Sequence, residues 1–296
     1  MENFKHAFDV ESYVYYTQVM QAECLAAAYR LWRREWRGPN QEYVGGAVVW
    51  QLNDCWPVTS WSIADYFLRP KPAYFSIARE LAPFTVGMTR KEVKTITSPD
   101  SVAHFKISSV LEIWATNSHG QDKTVKLEVH AFDVEAGTAV EVTTEGLAGG
   151  KPVVLAPNGT TELWKGTTPG VDDVYVDGMR SKPIVIQARL IDVDTGVILA
   201  RYSNWPEPFK YVHFPTKEQV NLQIIPSVAS DGPLGSTSLT ITVDRPVKGL
   251  VLDVDGPWAK FSDQAIDLFP GDTQVVGVIG LEGREVKARY LGDGSA

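Results

Sequence analysis

Trp50-Gln51-Leu52-Asn53-Asp54-Cys55-Trp56-Pro57-Val58-Thr59-Ser60-Trp61 holds three of the chain's nine tryptophans, and Trp32 and Trp36 lie shortly upstream. Directly before this stretch, Val44-Gly45-Gly46-Ala47-Val48-Val49 is an apolar run without charge, the pattern of a strand buried on both faces. A strand that opens into Trp, Asn, Asp and Trp gathers stacking faces and hydrogen-bonding groups at one end. An aromatic face packs against the C–H side of a pyranose, while amide and carboxylate groups take its hydroxyls. The composition suits a sugar site, although tryptophan is also a common core residue.

The flanks of this segment read as helices. Asp9 can cap a helical pattern running from about Val10 to Trp36, which Gly38-Pro39 stops. A second helix starts near Pro72, suited to a first turn, and ends before Pro83. Arg30, Arg33, Arg34 and Arg37 share a face of the long helix. They read as cations complementing the C-terminal end of its dipole, in preference to a basic binding patch.

After Pro83 the period changes from 3.6 to 2. Strands are expected at Val102–Thr116, Lys123–Val134, Thr161–Trp164, Pro183–Val193 and Val197–Tyr202. A second set follows Pro215: Val220–Pro226, Ser236–Val243, Lys248–Val254, Ala265–Leu268, Thr273–Ile279 and Val286–Tyr290. Strands at this spacing, punctuated by Gly, Pro and Asn, indicate β-sandwiches. Trp114, Trp164, Trp205 and Trp258 sit singly among these strands and turns and read as packing residues.

The net charge of −8 makes the chain a poor nucleic-acid binder, and no apolar run reaches the ~18 residues of a membrane span. Two cysteines, Cys24 and Cys55, supply neither a disulfide framework nor a zinc site. Met1-Glu2-Asn3-Phe4-Lys5-His6 has no apolar core of a signal peptide.

Trp50 to Trp61, continuing through Ser62-Ile63-Ala64-Asp65-Tyr66-Phe67-Leu68-Arg69-Pro70-Lys71-Pro72-Ala73-Tyr74, closely resembles the β-mannosidases of glycoside hydrolase family 2, its fungal intracellular-type members above all. Tyr202–Tyr211 and the stretch from Phe261-Ser262-Asp263 to Phe269-Pro270-Gly271-Asp272 resemble that family's trailing β-domains. The resemblance covers nearly the whole chain, yet only the C-terminal third of the family's length. It implies a mostly β protein: the C-terminal piece of a (β/α)8 TIM barrel (residues 1–88, with the seventh helix, eighth strand and eighth helix), then immunoglobulin-like sandwiches at 89–212 and 213–296.

For function, the resemblance implies a retaining glycosidase, a parent enzyme that removes terminal non-reducing β-D-mannose from oligosaccharides and glycoprotein-derived glycans. That reaction needs two carboxylates about 5–5.5 Å apart. By the family's arrangement these are glutamates at the ends of strands four and seven, upstream of Met1. No catalytic residue is therefore expected in this chain, which alone should be inactive. Glu11, Glu23, Glu35 and Glu80 read as solvated or ion-paired helix residues. The family's strand-eight tryptophan makes Trp50 the platform under the sugar. Asn53 and Asp54 would orient the loop or reach sugar hydroxyls, and Trp56 and Trp61 would wall the pocket or pack beneath it. No metal and no cofactor is called for. The partner is the parent's β-mannoside oligosaccharide, with no nucleic acid and no membrane. An intracellular location is expected, with secretion left open because the start of the chain reads as internal to a longer protein. The alternative is a non-catalytic carbohydrate-binding or interaction protein built from the β-sandwiches.

Overall fold

A computed structural model describes residues 3–143, 147, 150–175, 182–228 and 236–294. The described chain is mostly β and falls into two compact units that interleave in sequence. One contains residues 28–47 and 80–206, the other residues 1–27, 48–79 and 207–296. Helix α1 (Val10–Arg34) contributes to both, and α2 (Pro72–Glu80) begins where the proline ring pre-sets the helical φ. Asp9 caps α1, its Oδ1 accepting the Ser12 N–H at 2.8 Å.

In the first unit, all pairing is antiparallel. One sheet has the order β1 (Phe84–Ile96), β2 (Phe105–Asn117), β6 (Gly159–Thr167), with β7 (Val174–Tyr175) also on β2. The other runs β4 (Thr138–Val140), β3 (Lys123–Asp133), β8 (Ile184–Asp192), β9 (Ile198–Asn204), with β5 (Pro152–Leu155) on β3. Val86, Met88, Leu111, Ile113, Leu127, Ile186 and Leu190 share one buried cluster, as the facing layers of a sandwich require. Strand β1 is absent from the expected set. All of Thr85–Met88 is buried and residues 92–96 are exposed, so no alternation marks it.

Trp114 is fully buried beneath the Arg34 guanidinium, 4.2 Å from its ring. A Cβ on Gly87 would lie 2.6 Å from that indole, so the cross-strand neighbour has to be glycine. The arginines of α1 are likewise structural. Arg30 pairs with Glu80 at 2.6 Å, Arg33 donates to the Ala82 carbonyl at 2.7 Å, and Arg34 reaches Glu112 and Glu162 at 3.0 and 2.7 Å.

In the second unit, α3 (Lys217–Val220) precedes two antiparallel sheets. Their orders are β10 (Gln223–Val228), β11 (Ser236–Thr242), β15 (Gln274–Ile279), β13 (Lys260–Phe261), and β14 (Ile266–Leu268), β12 (Val247–Val254), β16 (Val286–Arg289). Leu239, Ile241, Leu250, Leu268 and Val276 lie in its core. The Tyr15 hydroxyl of α1 donates to the Gly249 carbonyl at 2.8 Å, where β12 pairs irregularly with β14 and Gly249 has φ +69°. Arg79 ties α2 to Asp263 and to the carbonyls of Gln264 and Ala265.

The expected buried strand at 44–51 does not form here. The segment carries no ladder, Val48 is 97 % exposed, and a Cβ on Gly45 or Gly46 would meet open space. A parallel strand draws its backbone hydrogen bonds from neighbours on both sides, and among the described residues no strand pairs with this one. No described helix is long and apolar enough to cross a membrane.

Candidate functional site

The tryptophan-rich segment is an excursion closed at its base. Ile63 and Ala64 N–H groups donate to the Gln51 and Leu52 carbonyls at 3.1 and 2.8 Å, and Lys71 N–H donates to the Ile63 carbonyl at 2.9 Å. Single bridges join Asn53 to Ala64 and Ala64 to Pro70. The returning stretch turns at Asp65, whose Oδ1 accepts the N–H groups of Phe67 and Arg69, both at 2.9 Å. This short pairing fixes the two ends of residues 54–62 without repeating a regular element.

On that frame Trp50 is 78 % exposed, Trp56 72 % and Trp61 63 %, while Asn53 is exposed and donates its amide to the Asp54 carbonyl at 3.1 Å. The Trp50–Gln51 peptide is cis. Asp54 differs from its neighbours in being only 3 % exposed. Its Oδ1 accepts from Ser60 Oγ and its Oδ2 from Ser62 Oγ, each at 2.6 Å, and Lys71 Nζ stands 3.9 Å away. The two serine hydroxyls, then the Lys71 ammonium, hold the Asp54 carboxyl below its ordinary value. Ser60, Ser62 and Lys71 were not candidates from sequence. Lys71 follows Asp54 by seventeen positions across an irregular loop, so no spacing rule links them.

The other carboxylates of the two helices have cationic partners. Glu11 lies 3.8 Å from Arg289, Glu23 pairs with Lys248 and Glu80 with Arg30, and Glu35, just past the end of α1, pairs with Arg37. Cys24 and Cys55 are free and exposed. Among the described residues no group of three or more His, Cys, Asp or Glu is placed to hold a metal ion. Of the isolated tryptophans, Trp114 and Trp205 are buried, whereas Trp258 is half exposed.

Residues 109–211, which contain most of β2 through β9, match the Mannosidase Ig/CBM-like domain. The particular relatives are the enzymes named β-mannosidase B. The chain is 40 % identical to that of Thermothelomyces thermophilus over 99 % of its own length and 32 % of the relative's, and 41 % identical to that of Aspergillus niger with the same coverage. Among solved structures it superposes on a β-D-mannosidase from Dictyoglomus thermophilum with TM-score 0.71 at 18 % identity, covering 98 % of this chain and 31 % of that one. It also superposes on the exo-chitosanase CsxA of Amycolatopsis orientalis with TM-score 0.60 at 15 % identity, covering 97 % and 35 %. At such identities these two likenesses concern the fold. The chain is thus β-mannosidase-like over nearly its whole length and spans about a third of the length of the curated relatives it matches.

Proposed function

We propose that this chain is the C-terminal part of a retaining β-mannosidase, supplying one wall of the sugar site while the two catalytic glutamates come from the rest of the enzyme. The carrying observation is the exposed Trp50, Trp56 and Trp61 on a loop closed at its base, in a chain 40 % identical to a β-mannosidase B. In this reading α1, residues 44–51 and α2 are the last helix–strand–helix of a (β/α)8 barrel, whose active sites lie at the C-terminal strand ends. Closing the barrel would give residues 44–51 parallel neighbours, cover Val48, and turn Trp50 toward the barrel mouth. There its indole would stack under the terminal mannose and Asn53 would meet sugar hydroxyls. The substrate class is oligosaccharides and glycoprotein-derived glycans ending in β-D-mannose.

The rest of the site would protonate the leaving oxygen and attack the anomeric carbon. The carboxylates of this chain's helices support that division of labour, since Glu23, Glu35 and Glu80 are each committed to a cation. Exposure of Val48, Trp50, Leu52 and Val58 weighs against a stand-alone binding module, which gains nothing by presenting an apolar strand. An intracellular location belongs to the same proposal, consistent with two free thiols.

The test is a chimera in which these 296 residues replace the matching third of the Thermothelomyces β-mannosidase B. It should hydrolyse p-nitrophenyl β-D-mannoside with retention, while the 296-residue chain alone should not. A folded but inactive chimera, or turnover that tracks the isolated chain, would contradict the proposal.

A further inference from the structure

We infer that Asp54 does not touch the sugar but acts, with Ser60, Ser62 and Lys71, as a positioning device for the loop that carries Trp56 and Trp61. The inference rests on the reading of that loop as sugar-facing.

Proton counting supports it. Each serine hydroxyl has one proton to give, and both are aimed at Asp54, one on each oxygen at 2.6 Å. The same hydroxyls are engaged from the other side: Ser60 Oγ accepts the Ser62 N–H at 3.1 Å, Ser62 Oγ accepts from Lys71 Nζ at 3.0 Å, and the two hydroxyl oxygens stand 3.0 Å apart. Lys71 also approaches the Ser60 carbonyl at 3.5 Å and the Asp54 carboxylate at 3.9 Å. The carboxylate is buried, so a sugar hydroxyl cannot reach it without dismantling the network.

The network spans the excursion. Asp54 lies at its start, Ser60 and Ser62 flank Trp61, and Lys71 is anchored by its own N–H to Ile63 at the base. From α1, Gln21 Nε2 donates to the Trp61 carbonyl at 2.6 Å, a second fixed point on the same arm. Residues 54–62 form no regular element, so these bonds set where the two indoles point. A buried carboxylate with two hydroxyl donors and one cation is held in its charged form. Asparagine in its place would turn an N–H₂ toward an oxygen already accepting from Lys71, leaving that ammonium without its counter-charge. Such a staple restricts rotamers before the ligand arrives, which is how a loop presents stacking faces without an ordering cost on binding.

Two measurements separate this inference from the reading beneath it. In the 296-residue chain, the indole N–H resonances of Trp56 and Trp61 are assigned by Trp56→Phe and Trp61→Phe, and the variants Ser60→Ala, Lys71→Met and Asp54→Asn are compared. The variants should shift or broaden those two resonances while Trp258, in the same compact unit, keeps its own, which also certifies the fold of that unit. Ser60→Ala, at a half-buried position, preserves the test if Asp54→Asn fails to fold. In the chimera, Lys71→Met should lower kcat/KM roughly tenfold to a hundredfold at unchanged folded fraction, the scale of a small misplacement of positioning groups. Lys71→Arg should restore part of it. Unmoved Trp56 and Trp61 resonances in folded variants would overturn the positioning role. Moved resonances with unchanged kcat/KM would overturn its service to the sugar. Failure of the reading beneath shows differently, as full activity of a Trp50→Ala chimera.

Discussion

Replacing Glu112 by glutamine should destabilise the unit containing β1–β9 and abolish part of its pH dependence. Glu112 is buried on β2 and accepts from Lys165 Nζ at 3.0 Å, Arg34 Nη1 at 3.0 Å and Lys91 Nζ at 3.2 Å. These cations, Lys165 first, bring its carboxyl from 4.5 down to about 2. A depression of that size corresponds to about 3 kcal/mol of stability at neutral pH. Lys91 and Lys165 are exposed, so screening at physiological salt brings the expected effect to about 2 kcal/mol. The folded value lies below the unfolded one, so this stability is complete above pH 4.5 and is lost as pH falls through about 2. Urea unfolding followed by circular dichroism at pH 7, 4 and 2.5 provides the assay. The gap between wild type and Glu112→Gln should be about 2 kcal/mol at pH 7 and shrink by more than half at pH 2.5. A gap that is the same at pH 7 and pH 2.5 would show that Glu112 acts through shape and not charge.

Gly87→Ala should cost about 1–3 kcal/mol, because the new Cβ meets the Trp114 indole at 2.6 Å, and the cost should fall when Trp114 is also replaced by leucine; thermal unfolding of the double-mutant cycle checks this. In the other unit, Lys248 is buried between Glu23 and Asp267, which reach water more readily than it does. Neutralising both carboxylates (Glu23→Gln with Asp267→Asn) should cost more than Lys248→Met, by about 1 kcal/mol or more. Equal losses in urea unfolding would refute that asymmetry.

The elements legible in sequence were the periodic helices and the apolar strand runs bounded by turn residues. Helix α1 ends at Arg34 and α2 at Glu80, close to the glycine and proline stops read from the chain, and β3, β8, β11 and β12 lie within a residue or two of their expected limits. Strand β1 was not legible, because one half is covered on both faces and the other on neither. The apolar run 44–49 misled for a related reason: it has the composition of a buried strand, yet among the described residues no strand pairs with it. Of the site, the exposed tryptophans were visible as a cluster of unusual composition. The network around Asp54 was not, since its partners meet across an irregular loop, and only geometry shows that two serines and a lysine converge on one carboxylate. The arginines near the end of α1 were read as complementing its dipole, whereas the bonds they make run to other elements: Arg30 to Glu80, Arg33 to the Ala82 carbonyl, and Arg34 to Glu112 and Glu162.

In the proposed enzyme, Trp50 stands beneath the sugar. The most direct test of that placement is kcat/KM of the chimera on p-nitrophenyl β-D-mannoside for Trp50→Ala beside Trp114→Ala, each normalised to folded protein. Trp50 is exposed at the start of the loop, so its loss should leave the thermal midpoint near that of the parent chimera. It should cut kcat/KM by roughly tenfold to a hundredfold, as the loss of a stacking surface worth about 1–3 kcal/mol would. Trp114 is fully buried, and its truncation should cost about 3–5 kcal/mol of stability while turnover per folded molecule stays near normal. An unchanged kcat/KM for Trp50→Ala would contradict the account.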